Sequence, residues 1–262
     1  MERQCGLIQL DSVSKFYQMV DGGSVEAVRE VSLTVEQGEF FTIIGPSGCG
    51  KSTLLSLLAG IMRPSGGHVL VDGVEVAGPN PRKTAIVFQD ASLFHWRTVL
   101  DNVAFGLEMQ GMSRAERYDR AMRYVSLVRL QGFERSYPAE LSGGMQQRVA
   151  IARALAVEPE ILLMDEPFGA LDEQTRIILG DELIRIWGET RKTTVFITHS
   201  LFEAVYLSDR VAVMSARPGQ IITTLDVDVP RPRSLKSPRL DELRGLIWDH
   251  ISGESMKVVR TV

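Results

Sequence analysis

The stretch GPSGCGKS, Gly45 to Ser52, constrains this chain more than any other, because its chemistry works only between a strand and a helix. It fits the pattern G-x-x-x-x-G-K-[ST], in which glycines let successive backbone N–H groups wrap a phosphate without Cβ clashes. A helix starting near Gly50 aims its positive end at the same anion. Lys51 adds a point charge for the β- and γ-phosphates of a nucleotide, and Ser52 offers a hydroxyl to Mg²⁺. The flanks agree: the apolar run Phe40 to Ile44 precedes the loop, and a helical Leu54, Leu55, Leu57, Leu58 pattern follows it. Gly45, Pro46, Ser47, Gly48, Cys49, Gly50, Lys51, Ser52 and Thr53 are the expected nucleotide-binding set. Cys49 has no histidine near it in sequence to activate a thiol, so it reads as a small loop residue.

Around that loop, short β-like runs occur at Leu7 to Val13 and Val28 to Val35, with further strands at Val69 to Val71 and Thr84 to Phe88. From about Ala91 to Ala156 the strand runs vanish. Helical patterns replace them at Val99 to Met109, Arg114 to Leu130 and Gly144 to Ala156. Alternation then returns: strand Ile161 to Met164, helix Asp172 to Glu189, strand Thr194 to Thr198, helix Leu201 to Leu207, strand Val211 to Met214. This pattern means a parallel sheet covered by helices, so the fold class is α/β and the all-helical middle reads as an insertion. The expected organisation is a catalytic core over 1–90 and 157–227, a helical subdomain over 91–156 and a C-terminal segment over 228–262. The tail carries VPRPRSLKSPR, with basic residues at Arg231, Arg233, Lys236 and Arg239. It reads as a solvated linker or as a contact for anionic lipid or an acidic partner face, followed by a weak amphipathic helix from Leu240 to Ile251.

Two acids close the apolar run Ile161, Leu162, Leu163, Met164, which is the pattern of a buried strand whose C-terminal end reaches an active crevice. Asp165 is placed to hold Mg²⁺ through water, and Glu166, just past the strand end, to polarise an attacking water as general base. His199 follows Val195 to Thr198 and reads either as a structural strand-end histidine or as a γ-phosphate contact. Gln89 follows the strand Thr84 to Phe88 and offers an amide donor and acceptor to metal or water.

Leu141 to Arg148 reads LSGGMQQR: Ser142, Gly143 and Gly144 stand before a helix, from Met145 onward, whose N-terminus presents free N–H groups. This stretch resembles the signature motif of ATP-binding cassette (ABC) proteins. Over Leu7 to Val227 the chain is similar to P-loop NTPases of that family. PFGALDEQTR, THSLFEAVYLSDRVAVMSARPG and WRTVLDNVAFGLE are similar to the importer ATPases of the nitrate, sulfonate and taurine group. Two departures stand out: Phe94, His95, Trp96 replace the usual Leu-Pro-Trp, and Ser200 stands where Asp is favoured.

The resemblance implies a P-loop NTPase core of mostly parallel sheet with an antiparallel β part and an inserted helical subdomain. It implies ATP and Mg²⁺ as ligands, with Ser52, Gln89 and Asp165 toward the metal and Glu166, His199 and Gln89 in catalysis. Tyr17 looks like the aromatic that stacks on adenine, and Ala170, Leu171 and Asp172 look like the D-loop. Two cassettes pack head to tail in the family, the signature of one capping the γ-phosphate held by the other. The implied partners are a second copy of the chain, integral membrane permease subunits that a groove near Phe94 and Trp96 would grip, and indirectly a periplasmic or extracellular solute-binding protein. For Trp96, core packing is the plain alternative.

Composition removes other classes. The net charge of −4 leaves no chain-wide basic surface, so no nucleic-acid partner is expected. Gln89 and Leu141 stand 52 positions apart, too few for the coiled-coil insertion of DNA-repair cassettes. One P-loop and one signature exclude the paired cassettes of translation factors. An exporter ATPase, or an importer of another small organic solute, remains the alternative. The two cysteines, Cys5 and Cys49, suggest a reducing compartment. No window reaches the ~18 apolar residues that span a bilayer, and MERQCGLIQLDS lacks the core of a signal peptide. The expected location is peripheral, on the cytoplasmic face of the cell membrane.

Overall fold

The computed structural model describes residues 7–20 and 22–259, so Cys5 lies outside the described residues. Strands β1 (Ile8–Gln18), β2 (Ser24–Val35) and β3 (Phe40–Ile44) lead into helix α1 (Lys51–Leu58), then β4 (Gly66–Val71) and β5 (Val74–Glu75). β6 (Thr84–Val87) is followed by α2 (Val99–Met109), α3 (Arg114–Leu127), α4 (Gly143–Ala156), β7 (Ile161–Asp165) and α5 (Glu173–Thr190). β8 (Thr193–Thr198), α6 (Leu201–Leu207), β9 (Arg210–Met214), β10 (Ile221–Asp226) and α7 (Pro238–Val259) complete the chain. Two units result, Met1–Asn80 with Thr193–Val262, and Pro81–Lys192. The helical stretch expected over 91–156 lies inside the second unit.

In the first unit, β3 runs parallel to β8 on one side and to β9 on the other, and β10 adds to β9 antiparallel. Every residue of β3 and β8 is buried, which is why both read as continuous apolar runs and not as alternating ones. Helix α6 packs on β3 and β8, and α7 on α6 and β9. A separate antiparallel sheet has the order β2-β1-β4-β5. Its first strand continues to Gln18, past the end expected at Val13, because register shifts after Leu10 and Val13 let Lys15 to Gln18 go on pairing with β2.

In the second unit, β6 and β7 pair in parallel, and α2, α3 and α4 pack together, with α4 also against β6. Each helix start is capped by a side chain: Thr98 for α2, Ser113 with Glu116 in a capping box for α3, Ser142 for α4 and Asp172 for α5. Helix α3 stops at Leu127, short of the expected Leu130. Arg129 turns left-handed at φ 55, its N–H bonds to Ser126 O, and Leu130 N–H bonds back to Val125 O. That is a Schellman stop without glycine, and it tucks Leu130 inward, 1% exposed.

Two strands went unread in the sequence. β5 is two residues long, and β10, IITTLD, alternates half-buried and exposed side chains at the edge beside β9. The tail is the larger correction. Arg233 is buried, donating to the carbonyls of Val205, Tyr206, Ser208, Val227 and Val229. Arg231 pairs with Asp209 and reaches Leu207 O. Through these two arginines the segment is docked on the end of α6 and is not a fully solvated linker, although Lys236 and Arg239 stay exposed, and α7 starts at Pro238 and runs to Val259. Leu240, Leu243 and Ile247 form its buried face.

Candidate functional site

In the first unit, the loop from Gly45 leaves the C-terminal end of β3, and α1 begins at Lys51 with Gly50 as its N-cap. No side chain caps this helix, so its first N–H groups face the loop. Gly50 holds φ +110, and a Cβ there would lie 2.6 Å from the carbonyl oxygen of Ala27 on β2. Only glycine fits that position. Lys51 is buried, with its ammonium donating to Gly45 O at 2.9 Å and Pro46 O at 3.0 Å, so it is held against the loop it closes. Cys49 is fully buried, which agrees with a small loop residue and not an accessible thiol.

Other expected residues cluster here. The Tyr17 hydroxyl lies 3.1 Å from Thr53 Oγ1 and donates to Met62 Sδ, which stands the ring beside the start of α1. Lys15 Nζ sits over that ring, 5.8 Å from its centre. Parallel pairing of Ile44 with Thr198 makes Gly45 and His199 leave the same edge of the sheet side by side. His199 is exposed on a turn that is tightly tied: Ser200 N–H donates to Thr198 Oγ1, Thr198 bonds Glu203, and Ser200 Oγ accepts from Glu203 N–H as the N-cap of α6. Ser200, where the family resemblance favours aspartate, thus caps α6 with its hydroxyl. Glu203, buried at 4%, was not singled out in the sequence. Its position three residues after Ser200, in the S-x-x-E pattern, was the available signal.

In the second unit, Val87 pairs with Met164, so Gln89 and the acids Asp165 and Glu166 emerge from one edge of β6 and β7. Glu166 adopts φ 45, a left-handed conformation unusual for a residue with a side chain. Its carbonyl accepts from Gly169 N–H at 3.0 Å, closing a turn that Phe168 anchors in the core. The Gln89 amide rests on this turn, with Nε2 3.0 Å from where a Cβ on Gly169 would be. Gln89, Gly143, Gln147, Pro167 and Leu171 line a cleft of about 440 Å³. Ser142 Oγ accepts from Met145 N–H at 3.3 Å. Gly143 and Gly144 lie inside the first turn of α4 and do not precede it, a correction to the helix start at Met145. Asp172 uses both carboxylate oxygens on Thr175, one on its N–H and one on its hydroxyl, and these bonds hold its carboxyl below the usual carboxylate range. As an N-cap it orders the start of α5.

Trp96 is 73% exposed, which removes core packing as its role. It leans on Phe94, ring centres 5.5 Å apart, and Phe94 in turn packs on Phe105 and under Arg97 and Arg153. Asn102, fully buried, fixes this turn by accepting from Phe94 N–H and donating to the carbonyls of Phe94, Arg97 and Thr98.

The family model described as ABC transporter matches residues 28–169, more than half of the chain. An uncharacterized ABC transporter ATP-binding protein of Methanocaldococcus jannaschii is 49% identical over 253 residues, covering 97% of this chain and 94% of that one. The aliphatic sulfonates import ATP-binding protein SsuB of Bacillus cereus is 44% identical over 239 residues, covering 90% and 92%. Among solved structures, the dimeric cassette MJ0796, titled a bacterial ABC transporter cassette, superposes with a TM-score of 0.75 at 34% identity, covering 85% of this chain and 100% of that one. The same cassette is also known as a dimer in a post-hydrolysis state bound to ADP and Pi, with a TM-score of 0.74.

Proposed function

The chain belongs to the ABC transporter family, as an ATP-binding cassette whose ATPase activity is coupled to transport, and from that premise we propose that it energises an importer of small anionic solutes of the sulfonate or nitrate kind. The observation that carries the finer reading is the 44% identity to a sulfonate-import ATP-binding protein across 90% of the chain. Among the described residues no helix is long and apolar enough to cross a membrane, so the path for the solute is the task of permease subunits. Exposed Trp96, leaning on half-buried Phe94 in a turn locked by Asn102, is our candidate for gripping them.

In this proposal the nest Gly45 to Thr53 takes the phosphates of ATP, Lys51 bears charge developing on the γ-phosphate, and Tyr17 stacks on the adenine. Support comes from the Gly50 position, which any Cβ would fill, and from the uncapped start of α1. Ser52, Gln89 and Asp165 offer hydroxyl, amide and carboxylate oxygens, a hard donor set that suits Mg²⁺ with several waters retained. When bound, that ion neutralises charge on the β- and γ-oxygens. Glu166 orients and deprotonates the attacking water, while His199 contacts the γ-phosphate from its tied turn. The chain works as a homodimer in which Ser142, Gly143 and Gly144 at the start of α4 face the nucleotide of the other copy. ATP then favours the closed dimer by contacts that ADP lacks. The cassette sits on the cytoplasmic face of the membrane through its permeases.

The test is reconstitution of the cassette with its permeases and solute-binding protein in proteoliposomes. An alkanesulfonate, taurine or nitrate should stimulate ATPase and enter the vesicles. Stimulation only by an uncharged or cationic solute, or ATP-driven efflux, would overturn the importer reading.

A further inference from the structure

The loop between β9 and β10 is built against the phosphate loop in an unusual way. Ser215 closes it, its hydroxyl donating to Ala216 O and Pro218 O and accepting from Gln220 N–H. Its other end is bolted to β2: Gly219 N–H donates to Ala27 O and Arg29 N–H to Gly219 O, each at 3.0 Å. Gly219 also touches the phosphate loop, since a Cβ there would lie 2.1 Å from the carbonyl oxygen of Cys49. The Ala27 carbonyl that receives Gly219 is the one packed against Gly50. Both faces of this contact therefore require glycine. The result is a rigid bracket around Cys49 and Gly50.

Arg217 stands at the tip of that bracket. It is exposed, forms no ion pair with a carboxylate among the described residues, and its Nε donates to the Gly48 carbonyl at 3.3 Å. The Gly48 carbonyl and the Cys49 N–H are the two ends of one peptide plane: Arg217 holds the first, and Pro46 O accepts from the second at 3.3 Å, so the plane is fixed from both ends. A guanidinium is suited to this, because its donors are fixed in a plane and its charge persists at all working pH values.

We propose that Arg217 is a positioning residue for nucleotide binding: it holds the Gly48 carbonyl on the outside of the phosphate loop and adds a second cation, beside Lys51, at the rim of the anion nest. The inference rests on Gly45 to Thr53 being the phosphate site, and it predicts a binding effect, not a chemical one. Arg217 touches no reacting atom in this assignment. Diphosphate-bearing nucleotides should feel its loss, whereas AMP, which lacks a β-phosphate, should not.

The experiment measures ATPase kinetics and ATP, ADP and AMP affinity for the full chain carrying Arg217→Ala, Arg217→Lys or Lys51→Ala. For Arg217→Ala, KM for ATP and Kd for ADP should rise about fivefold, the loss of one net hydrogen bond. Turnover at saturating ATP should fall less than twofold, and AMP affinity should not move. Arg217→Lys should recover part of the affinity by restoring the charge. Unchanged KM in Arg217→Ala, with ATP binding lost in Lys51→Ala, overturns the role of Arg217 alone. Retained ATP binding in Lys51→Ala overturns the phosphate-loop reading beneath it. A fall in kcat without a change in KM also refutes the proposal, since it would place Arg217 in the chemical step.

Discussion

Gly50 and Ala27 approach so closely that a single methyl on Gly50 would sit 2.6 Å from the Ala27 carbonyl oxygen. The contact joins the loop proposed to hold phosphate to β2, a strand of the antiparallel sheet, and so ties that proposed site to the antiparallel sheet. Gly50→Ala must either displace β2 or turn the loop out of φ +110, a conformation costing an alanine about 1–3 kcal/mol. ATP affinity should fall at least about tenfold, the equivalent of 1.4 kcal/mol. Isothermal titration should show this while circular dichroism shows an intact fold. Wild-type affinity in that variant would mean that the loop adapts and the close packing is incidental.

Glu166 combines a carboxylate and a left-handed backbone at one position, and the two can be separated by substitution. Glu166→Gln keeps the backbone and should bind ATP normally while turnover falls by on the order of 10² or more, the usual contribution of a positioned base. Glu166→Gly should be as inactive but no less thermally stable, because glycine relieves the φ 45 conformation. Steady-state ATPase of Glu166→Gln at the wild-type rate would remove the base assignment.

Ser142 caps α4 through its hydroxyl, and its side chain is exposed. Arginine there would bring a bulky cation to the helix start proposed to face the other copy's nucleotide. In a Glu166→Gln background, ATP should drive the chain to a dimer on size exclusion with light scattering. Adding Ser142→Arg should abolish that shift and leave ATP binding intact. Persistence of the dimer would end the idea that this helix start belongs to the shared interface.

The sequence was legible where one physical demand set one residue type. β3, α2 and α6 have the bounds read from periodicity, and glycine at position 50 follows from steric need alone. It was less legible where tertiary contact overrode local signal. Arg129 ends α3 in the left-handed region without being glycine, because burying Leu130 offsets the backbone cost. β10 sits at an edge with Thr223 on its half-buried face and Ile222 on its exposed one, so no apolar alternation marks it. The tail failed for a sharper reason: its arginines suggested solvent, yet Arg233 satisfies carbonyls that the end of α6 leaves open. Composition cannot distinguish an arginine that caps a helix from one in water.

That docking has a measurable consequence. Burial pushes the Arg233 guanidinium down to about 10, with the Arg231 charge adding to the effect, so the group is held in spite of desolvation. Arg233→Met would keep most of the volume but leave buried carbonyls of Val205, Tyr206 and Ser208 without this donor. An unsatisfied buried polar group costs about 1–3 kcal/mol. Chemical denaturation should show a loss of that order, with the α6–α7 region the first to exchange its amides. Equal stability would mean that water or backbone adjustment satisfies those carbonyls.

Tyr124 supplies a pH test in the helical part of the second unit. Burial, followed by the negative charge of Glu158 and a hydrogen bond to it, pushes the Tyr124 phenol up to about 12. The folded chain therefore binds this proton more tightly than the unfolded chain, whose phenol titrates near 10. Linkage then fixes the sign: the stabilisation is complete below pH 10 and disappears as pH rises toward about 12. Ultraviolet titration should resolve one of the five tyrosines as late-ionising. Glu158→Gln should bring that transition to lower pH by removing the adjacent charge, while Tyr124→Phe should flatten the decline of stability across the same interval. A Glu158→Gln titration superimposable on wild type would leave desolvation as the sole cause and remove the carboxylate from the account.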